Sequence, residues 1–194
     1  MSKSDPVSSR KERNKTIRWV VTIFFATMLI SGLFSFASGE IMASSTVAVA
    51  FLILLAIVLI GIMFDIIGVA VTSADEKPFH SMAARKVPGA QEAIRLLRNA
   101  ERVSSICNDV IGDICGVVSG SASAAIASQV LQSFSFAWPQ LVTLAMSALV
   151  AGLTVGGKAI GKSIAIGSCT EIVQTVGKVL WVFRHIPEQL GRKK

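Results

Sequence analysis

The chain has 194 residues, of which 52% are hydrophobic and 16% are charged, and its mean hydropathy is +0.64. This composition is too apolar for an ordinary soluble domain, and the length is too short for several large domains. The formal net charge of +7 is common in small membrane proteins with cationic connections. Because the basic residues do not alternate with aromatic ones, we expect no nucleic-acid partner. The sequence predicts an all-α, polytopic protein of the lipid bilayer.

Four apolar segments are long enough to cross a membrane as helices. They cover residues 17–37, 46–71, 104–131 and 140–157. A basic tail, 1–16, precedes the first segment, which could also be a signal anchor or a secretory signal peptide, since Ser35-Phe36-Ala37 ends it. We expect a retained helix because its apolar stretch is long for a signal peptide.

Basic residues fall on alternate connections. Lys and Arg precede the first segment, lie between the second and third, and follow the fourth, whereas 38–45 and 132–139 contain neither. By the positive-inside rule, the side that carries the positive charge is cytoplasmic. We therefore expect a multi-pass protein of the plasma (cell) membrane with both termini in the cytoplasm.

The connection 75–103 has the pattern of a cytoplasmic, juxtamembrane helical hairpin. Pro88-Gly89 breaks it, and the second arm presents Ala93, Ile94 and Leu97 on one face. Such an apolar face is typical of a helix that lies on the membrane surface or against the ends of other helices.

A second amphipathic helix is predicted near the C-terminus. Ser168 and Glu171 have the spacing of a capping box and precede an apolar stripe. Pro187 is expected to end this helix, which leaves a basic tail at 187–194.

Three polar residues interrupt the third apolar segment, namely Asn108, Asp109 and Asp113. A carboxylate at membrane depth costs roughly 2.5–3.5 kcal/mol, so a cation, a basic partner or a proton must offset it. Asp109 and Asp113 are four residues apart, which places them on one helix face about 6 Å apart along the axis. The two like charges repel each other, which disfavours ionisation of both carboxyl groups unless something offsets the charge. This pair is therefore a candidate functional site.

Glycines recur at every fourth position of the third segment, at Gly112, Gly116 and Gly120. The same spacing recurs in the fourth segment, at Gly152 with Gly156 and at Gly157 with Gly161. This spacing lets another helix approach closely, either within one molecule or across a homodimer, and it does not choose between the two.

Several short motifs of the chain resemble the transmembrane domain of the cyclin M (CNNM)/CorB/CorC magnesium transporters. The family's first span ends in a segment like Ser-Glu-Thr-Ala-Leu-Thr-Ser, and here residues 67–73 read Ile-Gly-Val-Ala-Val-Thr-Ser. The family's hairpin carries Gly-Ala and Leu-Leu pairs, as do 89–90 and 96–97. Its Ile-Gly-Asn-Asn-x-x-Asn motif is similar to Ile-Cys-Asn-Asp-Val-Ile-Gly-Asp at 106–113, and its Gly-Glu-x-x-Pro-Lys motif is similar to Gly-Lys-Ala-Ile-Gly-Lys at 157–162.

The resemblance covers about residues 46–186 and implies a homodimer that transports a divalent cation, Mg²⁺. Such a cation prefers oxygen ligands, and the side chains predicted to supply them in the cytoplasmic third of the membrane are Asp109, Asp113, Asn108, Asp65 and Ser73. The chain departs from the family at two acidic positions, because Gly68 and Lys158 stand where the family has Glu. The paired CBS domains that commonly follow in the family, and the nucleotide gating they provide, are not expected here.

A different reading of the same residues is a non-transporting relative that regulates or binds other membrane proteins. Lys158 and Lys162 are four residues apart and could pair with Asp109 and Asp113 as structural salt bridges. An enzyme is not expected, because the sequence has no Ser/His pair, no His-Glu-x-x-His motif and no phosphate-binding loop.

Overall fold

A computed structural model describes residues 6–43, 45–133 and 138–191, and these residues form helices with no strand among them. The helices are α1 (Pro6–Ala43), α2 (Val47–Ser73), α3 (Lys77–Ala84), α4 (Ala90–Arg98), α5 (Ala100–Ser104), α6 (Asp113–Ser133), α7 (Pro139–Gly167) and α8 (Cys169–Gly191). A π-helical segment, Ser105–Gly112, joins α5 to α6 without a break. The predicted all-α fold is confirmed.

Four stretches are long and apolar enough to cross a membrane, which confirms the predicted polytopic architecture. They are Ile17–Ile41, Val47–Ser73, Ala100–Ser133 and Pro139–Gly167. The exposed faces of these helices are rich in large apolar side chains, such as Leu29, Leu52 and Leu144. Those faces suit contact with lipid, so the protein belongs in a bilayer.

The helix ends differ from the sequence-based expectation in four places. Helix α1 continues beyond residue 37 to Ala43, into the predicted connection 38–45. The fourth span continues beyond residue 157 to Gly167, because Lys158 is paired with an acid inside the bundle and does not have to leave it. Helix α1 begins at Pro6, within the predicted tail 1–16. Helix α8 continues through Pro187 to Gly191, since a proline removes one backbone hydrogen bond and does not always end a helix. Residues 192–194 of the predicted tail lie outside the described part.

Helix α2 occupies the middle of the bundle and packs against both α6 and α7, which also contact each other, and α1 packs along α6. The core where α2, α6 and α7 meet is formed by Ala50, Leu54, Val58, Ala122, Ile126 and Val150. Because the bundle is assembled around α2, polar groups on its inner faces meet side chains from α6 and α7.

Glycines bring α2 and α7 close together, and they do so within one molecule. A Cβ at Gly157 or Gly161 would press against Ile62 and Ile66 of α2. In contrast, a Cβ at Gly116 of α6 would meet no heavy atom within 4 Å. The glycine spacing therefore has two structural consequences. At Gly157 and Gly161 it permits close contact between α7 and α2, whereas at Gly116 it leaves open space beside α6.

The predicted hairpin is present and packs against α8 at one end of the bundle. Its arms are α3 and α4, joined by a turn in which Gly89 adopts the left-handed backbone conformation with φ of 84°. Gly89 lies against the backbone at Gly177 of α8. The buried residues that join the hairpin and α8 to the ends of α2 and α7 are Val71, Phe79, Ala93, Leu97, Ala165 and Val173. The hairpin and α8 therefore share one side of the membrane.

Candidate functional site

The π-helical segment carries the polar residues that the sequence singles out. It covers Ser105–Gly112 and contains Asn108 and Asp109, while Asp113 begins α6 directly after it. π-Helical turns are rare and frequently coincide with functional sites. Here the two polar neighbours point in different directions, since Asn108 contacts α2 and Asp109 lines a cleft beside α1.

Asn108 lies against Gly68 of α2. A Cβ at Gly68 would overlap the side-chain amide of Asn108, so the space that a larger residue would need is already filled. The Asn108 amide nitrogen donates a hydrogen bond to Ser104 Oγ at 3.2 Å. Its buried Oδ1 has no hydrogen-bond partner among the described residues. Gly68 is therefore the position at which α2 accommodates the Asn108 side chain.

Lys158 of α7 forms an ion pair with Asp65 of α2, with 3.5 Å between Nζ and Oδ1. The two side chains are 29% and 17% exposed, so the pair is largely enclosed by the bundle. The predicted pairing of Lys158 with Asp109 or Asp113 is wrong, because α7 packs on α2 and presents Lys158 to the acid there. Lys162, one turn further along α7, is exposed.

Asp109 and Asp113 line one cleft of about 510 Å³ between the start of the third span and α1. The expectation that they share a helix face is confirmed, whereas the expectation that they lie beside Lys158 or Asp65 is wrong. Both carboxylates are exposed, and Ser105 Oγ donates a hydrogen bond of 2.7 Å to Asp109 Oδ2. Aromatic and aliphatic side chains of α1, including Trp19, form the opposite wall.

No basic side chain lines this cleft among the described residues. The charged side chains in its described lining, Asp109 and Asp113, are both negative, and a cation can offset their cost at membrane depth. Mg²⁺ usually keeps several waters and is held by one or two carboxylates. Asp109, Asp113 and the Ser105 hydroxyl fit a hydrated divalent cation on these chemical grounds.

The structure places the five predicted ligands in three different environments. Asp65 and Asn108 lie inside the bundle, and Asp109 and Asp113 lie in the cleft. Ser73 is exposed at the end of α2. Within the described part of the chain, no three acidic, histidine or cysteine side chains come together in a way that could hold a metal ion. A site made by all five predicted ligands is therefore not present in this conformation.

Sequence reasoning missed Ser105 as a member of the cleft. Its position four residues before Asp109 is a detectable signal, because residues four apart are neighbours on a helix. The Lys158–Asp65 pair has no such signal, since the two residues belong to different spans and meet only through the packing of α7 on α2.

Comparison with known proteins does not assign the chain to a family, because no protein-family model, curated protein or solved structure matches it. The resemblance to the CNNM/CorB transporters therefore depends on the sequence motifs alone.

Proposed function

We propose that this membrane protein handles divalent cations in the manner of the CNNM/CorB transporters, with Mg²⁺ as its substrate. The observation that carries the proposal is the cleft in which Asp109 and Asp113 face a common space with no basic residue in its described lining. Two intramembrane carboxylates without a basic partner mark an ion site more often than a structural one.

In this proposal the Ser105 hydroxyl orients Asp109 through their 2.7 Å hydrogen bond, and Asp113 supplies the second carboxylate. A hydrated Mg²⁺ exchanges some of its waters for these oxygens and keeps the others. Alternating exposure of the cleft to the two sides of the membrane then moves the ion. Packing of α1 against α6 closes one wall, so the position of α1 controls access.

The proposal extends to the setting of the protein. It places the protein in the cell membrane with both termini, the hairpin and α8 in the cytoplasm, as the distribution of basic residues favours. It also includes a homodimer in which the open strip at Gly152 and Gly156 receives a second copy. A Cβ at either glycine would meet no heavy atom within 4 Å, so the backbone there is accessible to a close partner.

Flux of Mg²⁺ into proteoliposomes that contain a fluorescent magnesium indicator tests the transport proposal. The wild type should carry Mg²⁺, and Asp109→Asn and Asp113→Asn should lose most of the flux because each removes a ligand charge. Asp75→Asn, which removes an exposed acid outside the cleft, should keep it. The absence of flux in wild-type proteoliposomes, with protein shown to be inserted, would contradict transport.

A non-transporting membrane regulator or interaction protein is the second candidate, and the Lys158–Asp65 ion pair is the observation that favours it. The Lys158 ammonium neutralises Asp65, and Asn108 fills the space beside Gly68. At the two positions where the family has Glu, Gly68 and Lys158, this chain therefore has contacts within the bundle in place of acidic side chains. If this function is the correct one, Mg²⁺ should neither cross the membrane nor stabilise the protein.

A further inference from the structure

Helices α6 and α7 separate over part of their length and leave a cavity of about 210 Å³ between them. Its lining includes Gly116, Ser119, Gly120, Ser123, Ser147 and Thr154. The two glycines widen it, because a Cβ at either one would meet no heavy atom within 4 Å. Val150, Ala151 and Val155 complete the lining, and the cavity is open on one side. It is therefore a small-residue region with several hydroxyl groups, and it is distinct from the cleft that holds Asp109 and Asp113.

Ser123 is the residue that indicates what fills this cavity. Its side chain is 1% exposed, and its Oγ has no hydrogen-bond partner among the described residues. A buried hydroxyl without a partner is destabilising, and in membrane proteins such groups find a partner in another helix or in water. Ser119 Oγ donates to the Gly116 carbonyl at 3.0 Å and can still accept a hydrogen bond.

The cavity extends toward the Lys158–Asp65 ion pair. On α7, Thr154 lies one turn before Lys158, and on α6, Gly116 lies one turn after Gly112. The Lys158 ammonium nitrogen is 3.3 Å from the position that a Cβ on Gly112 would take. The ion pair therefore sits at the end of the hydroxyl-lined space.

The Asp65 carboxylate alone does not satisfy the hydrogen-bond donors of the Lys158 ammonium group. The 3.5 Å between nitrogen and oxygen exceeds the roughly 2.7–2.9 Å of a direct charge-assisted hydrogen bond. An ammonium group also has three donors. A water molecule at the end of the cavity would supply an acceptor at the required place.

We infer that water occupies the cavity between α6 and α7 and forms a hydrated chamber inside the bundle that solvates the Lys158–Asp65 pair. The volume of about 210 Å³ is far above the roughly 10–15 Å³ that one water needs, and polar partners are present. The chamber explains how an ion pair is accommodated in the middle of an apolar bundle. It does not depend on the binding of a divalent cation elsewhere.

Cysteine substitution in lipid nanodiscs tests the inference, with Cys107, Cys115 and Cys169 replaced by Ala. The probe is a charged methanethiosulfonate reagent, which reacts with the thiolate that forms in water. Thr154→Cys should react at least about tenfold faster than Leu153→Cys, because a thiol in apolar surroundings is seldom ionised. Leu153 is the matched control, since it is adjacent in sequence and lines an apolar groove against α2.

Ser147→Cys provides a second cavity position in case the first variant does not fold, and thiol titration in SDS confirms that each cysteine is intact. Fast reaction at either cavity position, with a slow Leu153→Cys control, supports the chamber. Equally slow reaction at the cavity positions and the control, in folded protein, overturns it. Formation of a disulfide-linked dimer through Thr154→Cys or Ser147→Cys also overturns it, because a second copy then fills the space.

Discussion

The Lys158 ammonium lies 3.5 Å from the Asp65 carboxylate, across the contact between α7 and α2. Each charge alone would be costly at membrane depth, and pairing makes the interior of the bundle neutral. The same contact leaves Asp109 and Asp113 without a lysine, so the two groups of acids have different environments. Asp65 is paired with Lys158 inside the bundle, whereas Asp109 and Asp113 face a cleft.

Replacing Lys158 by Gln should destabilise the protein by about 3 kcal/mol, the lower end of the range for breaking a buried ion pair, because Asp65 is left unpaired. Adding Asp65→Asn should restore part of the loss. The measurement is thermal unfolding in detergent, followed by circular dichroism. Asp109→Asn combined with Lys158→Gln is the control, and its effects should add to within about 0.5 kcal/mol. Rescue by Asp109→Asn in place of Asp65→Asn would contradict the pairing.

Gly68→Ala should destabilise the protein by about 1–3 kcal/mol, because the added methyl group overlaps the Asn108 amide and forces the helices apart. Asn108→Ala should recover much of the loss when it is combined with Gly68→Ala. Gly32→Ala in α1 is the matched control, since a Cβ there meets nothing within 4 Å. That control should be neutral or slightly stabilising, because alanine favours a helix. An equal loss of unfolding temperature in both variants would contradict the Gly68–Asn108 contact.

Much of the fold could be predicted from the sequence, because hydropathy and glycine or proline positions are local signals. The four spans, the hairpin with its break at Pro88-Gly89, and the amphipathic helix after Ser168 all follow from such patterns. The end of the fourth span could not be predicted, since Lys158 looks like the start of an aqueous segment until its partner is known.

The candidate site was predicted only in part. The shared face of Asp109 and Asp113 follows from their spacing, but their separation from Asp65 depends on how α2, α6 and α7 rotate against one another. The π-helical turn at Ser105–Gly112 also changes which side Asn108 faces. Neither feature has a signature in a single sequence, because both result from contacts between distant segments.

Gly89→Ala should loosen the hairpin from α8. The residue has φ of 84°, which costs a residue with a Cβ roughly 1–2 kcal/mol, and a Cβ would also overlap the backbone at Gly177 and Lys178. Limited proteolysis in nanodiscs should then cut within 75–103 faster than in the wild type. Gly167→Ala, where a Cβ meets nothing within 4 Å, should leave the rate unchanged. Unaltered proteolysis of Gly89→Ala would contradict a hairpin held by this contact.

Labelling from each side of the membrane tests the proposed orientation. In a cysteine-free background, Ser81→Cys on α3 should react from the cytoplasmic side and Ser133→Cys at the end of α6 from the opposite side; both positions are exposed. Ser135, in the connection between the third and fourth spans, is also expected on the side opposite the cytoplasm, and it lies beyond the described residues. Reaction of Ser133→Cys only from the cytoplasmic side would reverse the orientation.

The most direct test of the central claim is the unfolding temperature of the purified protein as a function of Mg²⁺ concentration. A ligand that binds only the native state stabilises it, by about 2.7 kcal/mol at one hundred times its dissociation constant. The wild type and Asp75→Asn should both become more stable as Mg²⁺ is added, whereas Asp109→Asn should retain its fold and lose the response. No response in the wild type, or an equal response in Asp109→Asn, would contradict cation binding between Asp109 and Asp113.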